Sequence, residues 1–183
     1  MIRNDRDTIV EGIKHLCDGI GPFQKMDSYE DFLKMQTDIY DTFGDDSFDI
    51  LIDILLHPPE LGRIDSNDFD YELQEALIAI GLRNPRYTLD TVENLLSIKS
   101  IRLVLINIIG GLENEDGLFL LEFLLQQSTE TDPLSEDELI ELACALDEIR
   151  GEKAVELLTK MKIRYYNHSP ELLQYIEDGL KVR

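Results

Sequence analysis

The side chains that most often carry chemistry are few in this chain and lie far apart. Its 183 residues include three histidines and two cysteines, at His15, His57, His168, Cys17 and Cys144. No zinc-ligand spacing is present, and no cysteine forms a recognisable nucleophile motif with a histidine. The sequence therefore predicts no catalytic residue, no metal site and no cofactor, and we expect a protein that is not an enzyme.

An acidic stretch at residues 65–76 resembles a calcium loop in composition but not in pattern. An EF-hand needs glycine at its sixth position and a bidentate glutamate at its twelfth, and here these positions hold Asp70 and Ala76. Carboxylates also stabilise the first turn of a helix, because they face its positive end. We interpret the stretch as the start of a helix.

The charge of the chain limits its partners. Acidic residues outnumber basic ones by 38 to 17, for a formal net charge of −21. Nucleic acids and anionic membranes are bound through lysine and arginine, so we expect neither as a partner. Residues 27–75 carry fifteen acids and two bases, and residues 130–149 carry eight acids and no base. These two acidic blocks are either solvated helix faces or a binding surface for a cationic protein.

The composition indicates a globular chain. Its hydrophobic fraction of 43% is enough for a core, and two cysteines do not form a disulfide framework. The first residues lack the apolar segment of a secretion signal, and no apolar run reaches the roughly 18 residues of a membrane helix. We expect a cytoplasmic protein with one domain over residues 1–183, and the oligomeric state is left open.

Helical periodicity runs through nearly the whole chain. Apolar residues recur three or four positions apart, and strand signals are absent. The prediction is an all-α fold of about ten helices in five antiparallel pairs. The pairs are 4–19 with 28–43, 47–57 with 68–82, 86–98 with 100–112, 116–127 with 135–149, and 152–167 with 170–180.

Several residues indicate where these helices start and stop. Asp27-Ser28 precedes a helical segment, Ser135 and Glu138 have the spacing of a capping box, and Ser169-Pro170 is typical of a first turn. Gly110-Gly111 is interpreted as a turn between two helices. Within residues 116–127, Phe119, Leu120 and Phe123 are taken as part of the apolar stripe.

A helix–turn–helix unit recurs with a period near 35 residues. Each of its four copies has an apolar anchor at a helix end, at Phe43, Ile80, Leu112 and Ile149. The copy at residues 145–158 resembles the core of HEAT repeats, with Lys153-Ala154-Val155 where that family has Arg-Ala-Val. The resemblance implies a HEAT-like α-solenoid of stacked helix pairs, with a capping helix within residues 1–26.

The acidic blocks fall on the second helices of the predicted pairs or beside them. We predict that their carboxylates bind a cationic protein. The predicted partner-binding residues are Asp38, Asp41, Asp45, Asp68, Glu72, Glu75, Glu138, Glu141 and Glu148.

The acidic helical chain also resembles bacterial immunity proteins, several families of which are similar to HEAT-like solenoids. This resemblance implies a protein that neutralises a basic toxin, commonly a nuclease, with an acidic surface that takes the place of the phosphate backbone. One alternative is a general HEAT-like scaffold for protein–protein interactions. A more remote one is an enzyme similar to phycobilin lyases, which attach bilins to proteins.

Overall fold

Ten α-helices make up most of the described chain. A computed structural model describes residues 5–19, 29–128 and 133–181, with the backbone alone at 18, 19, 29, 31, 32 and 45. No strand lies in these ranges, which confirms the all-α prediction for them. The helices are α1 (Arg6–Gly19), α2 (Tyr29–Phe43), α3 (Phe48–Leu56), α4 (Ser66–Gly81), α5 (Pro85–Leu95), α6 (Arg102–Gly111), α7 (Gly117–Gln127), α8 (Glu136–Ile149), α9 (Glu152–Arg164) and α10 (Pro170–Lys181).

Capping side chains explain where several helices begin. Ser135 Oγ accepts the backbone N–H of Glu138 at 3.2 Å, and Glu138 Oε2 accepts that of Ser135 at 2.7 Å, which confirms the capping box of α8. Ser169 and Asp65 accept backbone N–H groups in the first turns of α10 and α4. The start predicted at Asp27-Ser28 lies outside the described residues.

The chain forms two compact units, and the first is assigned to residues 1–84. Within its described part, α4 contacts α1, α2 and α3. Arg6 at the start of α1 donates to the Asp53 carboxylate at 3.0 Å and to the carbonyl of His57, both on or next to α3. Apolar side chains from the four helices form the core, among them Ile9, Ile13, Leu16, Phe43, Leu51, Ile54, Phe69, Leu73 and Leu77.

The second unit is assigned to residues 85–183. In its described part α6 contacts α8 and α8 contacts α10, while α7 contacts α9. In both units the two helices of every predicted pair contact each other. The antiparallel orientation of the pairs, their stacking as a solenoid and the single domain over residues 1–183 stay predictions. The core includes Leu105, Ile106, Ile109, Leu121, Leu142, Leu146, Leu158, Leu172 and Ile176.

The four repeat anchors are buried at equivalent places. Phe43, Ile80 and Ile149 lie within the last two residues of α2, α4 and α8, and Leu112 directly follows α6. The repeat pattern therefore predicted the ends of these helices correctly. The turn predicted at Gly110-Gly111 is wrong, because both residues belong to the last turn of α6.

None of the helices in the described ranges is long and apolar enough to cross a membrane.

Candidate functional site

The predicted partner-binding acids differ widely in exposure. Asp38, Asp41 and Glu148 are exposed, and Asp68, Glu75 and Glu141 are partly exposed. Glu72 and Glu138 are buried. The side chain of Asp45 lies outside the described residues. The acids at 38–75 belong to the first unit and those at 138–148 to the second.

Glu138 lies in a buried ion pair between α8 and α6. Its residue is 6% exposed. Arg102 Nε donates to Glu138 Oε1 at 2.6 Å, and Arg102 Nη2 donates to Oε2 at 3.1 Å, a bidentate arrangement. Burial by itself raises the pKa of Glu138, but the hydrogen bonds from Arg102 and Ser135 outweigh it and hold the pKa below its usual range. The Glu138 carboxylate is therefore used for contacts within the chain and is not available to a partner.

Glu72 is buried between α4 and α2, and only 1% of it is exposed. Gln36 Nε2 donates to Glu72 Oε2 at 3.0 Å, and Tyr40 Oη donates to the same oxygen at 3.1 Å. Burial and the neighbouring Glu72 charge raise the pKa of both Glu75 and Tyr40. Glu72 therefore links α2 and α4. Because Glu72 and Glu138 are both buried, neither is part of the proposed binding surface.

The Tyr40 hydroxyl should contribute measurably to the first unit. We expect Tyr40→Phe to lower the free energy of unfolding by about 1.5–3 kcal/mol, because a buried charged acceptor loses a donor. Urea unfolding followed by circular dichroism measures the loss. Tyr166→Phe is the control, because that residue is 65% exposed and its change should stay within about 0.5 kcal/mol. Equal losses in the two variants would contradict the role of Tyr40.

The buried acids form contacts that repeat along the chain. Gln36 and Glu72 are 36 positions apart, and so are Arg102 and Glu138. A related bond runs from Asn107 Nδ2 to Glu141 Oε1 at 2.6 Å, over 34 positions. These separations match the period near 35, so each carboxylate bonds to the helix one repeat earlier.

Cys144 has the environment of an inert thiol. It is half-buried on α8. Burial raises its pKa to about 11, with further contributions from the charges of Glu141, Glu148 and Asp147. A cysteine nucleophile needs a lowered pKa, so this thiol stays protonated at neutral pH.

An acidic cleft opens between α5 and α7 in the second unit. This α5–α7 cleft has a volume of about 310 Å³. Leu89 and Leu120 are buried there, whereas Phe119 is 67% exposed. None of its acids was among the predicted partner-binding residues. The cleft is lined by Arg86, Leu89, Asp90, Glu93, Asp116, Phe119 and Leu120.

The charged side chains of the α5–α7 cleft have no partner in the part of the chain that the structure describes. Among the described residues, the carboxylates of Asp90, Glu93 and Asp116 make no hydrogen bond or ion pair, and neither does the guanidinium of Arg86. Asp116 precedes α7 but does not cap it with its side chain. Three carboxylates and one guanidinium leave the cleft with surplus negative charge.

A cluster of four charged side chains around Glu122, between α7 and α9, differs because its charges neutralise one another. Glu122 lies 2.9 Å from Lys153 and 3.2 Å from Lys160, and Glu156 lies 2.7 Å from Lys160. These contacts hold down the pKa of Glu122, chiefly through the hydrogen bond from Lys153. The two acids and two lysines of this cluster leave it with no surplus charge. The α5–α7 cleft therefore differs from it in having carboxylates available to a partner.

Among the described residues, no group of three or more His, Cys, Asp and Glu side chains is placed to hold a metal ion. Comparison of the chain with known family models, curated proteins and solved structures finds no match.

Proposed function

We propose that the protein binds a cationic protein through surface carboxylates and is not itself an enzyme. The supporting observation is a set of exposed carboxylates that make no ion pair within the described residues: Asp38 on α2, and Asp90, Glu93 and Asp116 at the α5–α7 cleft. Like charges held together repel one another, and a cationic partner relieves that repulsion. Such a surface also accelerates association with an oppositely charged protein.

In its specific form, the proposal is that the chain is an immunity protein for a basic toxin. A nuclease binds phosphates through lysine and arginine, so its substrate site is complementary to an acidic surface. The resemblance to HEAT-like repeats supports the same idea, because stacked helix pairs present long binding surfaces. The partner would be held where its nucleic acid otherwise binds.

Co-expression with the product of the neighbouring gene tests this function. We expect the two proteins to copurify, and we expect their association rate to fall at least tenfold between about 0.05 and 0.5 M salt, because salt screens steering. The control is the same pair with the association driven by a fused coiled coil, whose rate should change far less. Absence of binding to the neighbouring product contradicts the immunity form. An association rate that does not change with salt concentration favours the alternative, a scaffold that binds its partner through apolar side chains.

A further inference from the structure

We propose that the cationic partner docks in the α5–α7 cleft, which takes an arginine- or lysine-bearing protein segment with its cationic side chain against Phe119. This inference rests on the proposed function and names its site and the chemistry of the partner. It moves the site away from the second helices, where the predicted acids lie, to carboxylates outside both acidic blocks.

Helix α7 supplies the exposed apolar side chain of the cleft. This helix is apolar on nearly all sides, as its sequence Gly-Leu-Phe-Leu-Leu-Glu-Phe-Leu-Leu-Gln-Gln shows, and such helices are normally covered all round. Its leucines are buried, but Phe119 is exposed and Phe123, one turn later, is 44% exposed. Two aromatic side chains four positions apart share one face. Phe119 lines the cleft and presents apolar surface next to its carboxylates.

The charge of the cleft selects the kind of side chain that fits it. Lysine and arginine have an apolar stem and a cationic end, which match the apolar residues and the carboxylates of the cleft. A cation over an aromatic ring is attracted to its face, and a guanidinium can also bind a carboxylate with two hydrogen bonds. The cleft offers both kinds of contact: the ring of Phe119 for the first, and the carboxylates of Asp90, Glu93 and Asp116 for the second.

Other occupants fit less well. An anionic segment would be repelled by the three carboxylates. A purely apolar segment would remove Asp90 and Glu93 from water without giving them partners, which costs free energy. The cluster around Glu122, between α7 and α9, has no comparable surplus, because Glu122 and Glu156 are already paired with lysines.

Titration of the full chain with a blocked hexa-arginine peptide tests the site. Backbone amide shifts should be confined to α5 and the first half of α7. By fluorescence anisotropy, Phe119→Ala should weaken binding about two- to fivefold, the size of an exposed cation–π contact. Asp90→Asn with Glu93→Gln should weaken it by up to about fivefold for each charge removed. Arg86→Gln should strengthen binding, because it removes the cation of the cleft itself.

The matched control removes two exposed carboxylates elsewhere in the first unit, by Glu30→Gln with Asp46→Asn. It removes the same two units of negative charge but should change affinity less than about 1.5-fold, because separated surface charges are screened. Shifts outside α5 and α7, or unchanged affinity for Phe119→Ala and Arg86→Gln, would overturn the cleft but leave the proposed function standing. No binding of hexa-arginine at 0.05 M salt would contradict both.

Discussion

Arg102→Met should lower the free energy of unfolding of the second unit by about 3–5 kcal/mol, the loss typical when one member of a buried ion pair is removed. The variant leaves the Glu138 carboxylate buried without its counter-ion. Glu138 also accepts the Ser135 backbone N–H, so a displaced carboxylate disturbs the start of α8 as well. Urea unfolding gives the magnitude.

Two further variants distinguish a buried ion pair from a general effect of losing a charge. Arg102→Met combined with Glu138→Leu should recover much of the loss, because an apolar pair needs no counter-ion. Lys162→Met breaks an exposed pair with Glu177 at 2.9 Å and should cost under about 1 kcal/mol. Similar losses for Arg102→Met and Lys162→Met would contradict the account of the α6–α8 contact.

Gly110→Ala should destabilise the second unit by a net of about 1–2 kcal/mol, because overpacking against backbone should cost about 2–3 kcal/mol, the upper part of its usual range. A Cβ at this position would lie 2.8 Å from Ala145 Cα and would also meet Glu148 Oε2. The backbone of α8 cannot yield as a flexible side chain can, so α6 and α8 must separate. This cost exceeds the gain of about 1 kcal/mol that alanine brings to a helix. The free energy of unfolding in urea checks it.

Gly179→Ala is the matched control on α10. A Cβ at this position would lie 3.0 Å from Leu158 Cδ1, the end of a side chain that needs to shift by only a few tenths of an ångström. We expect a free energy of unfolding equal to that of the unaltered protein or up to about 1 kcal/mol higher, because alanine favours the helix. If Gly110→Ala were as stable as Gly179→Ala, the close approach of α6 to α8 would not be what requires the glycine.

Local sequence patterns predicted the helices because helix periodicity and capping are local properties. The Ser135–Glu138 capping box and the four buried anchors depend on residues within one or two turns. Gly110 shows the limit of such patterns. A glycine pair predicts a turn equally well when it ends a helix and when it allows two helices to approach, and only the packing of α8 decides between them.

The exposure of the acids could not be predicted from their number. A block of eight acids predicts negative charge, but not that Glu138 is buried. The sequence did contain one indication of this burial. Arg102 is the single basic residue between 100 and 149, and the α6 segment around it is otherwise nearly apolar. A buried arginine requires a partner, and Glu138 lies one repeat later. The repeat period therefore predicts the pairing of Arg102 with Glu138, which a count of charges does not show.

The α5–α7 cleft was missed for a different reason. Asp90 and Asp116 lie on separate parts of the chain, outside both acidic blocks, and the fold brings them together. Phe119 and Phe123 were placed in the apolar stripe of α7, yet both are exposed. In a helix that is apolar on most sides, periodicity does not show which side remains open.

The central claim is that this chain binds and neutralises a cationic protein. Its most direct test is the activity of the copurifying neighbouring-gene product, measured on nucleic acid as increasing amounts of the chain are added. We predict that inhibition is complete at an equimolar ratio, and that Asp90→Lys with Glu93→Lys requires a large excess. Full activity of the partner at saturating amounts of the unaltered chain would contradict the account.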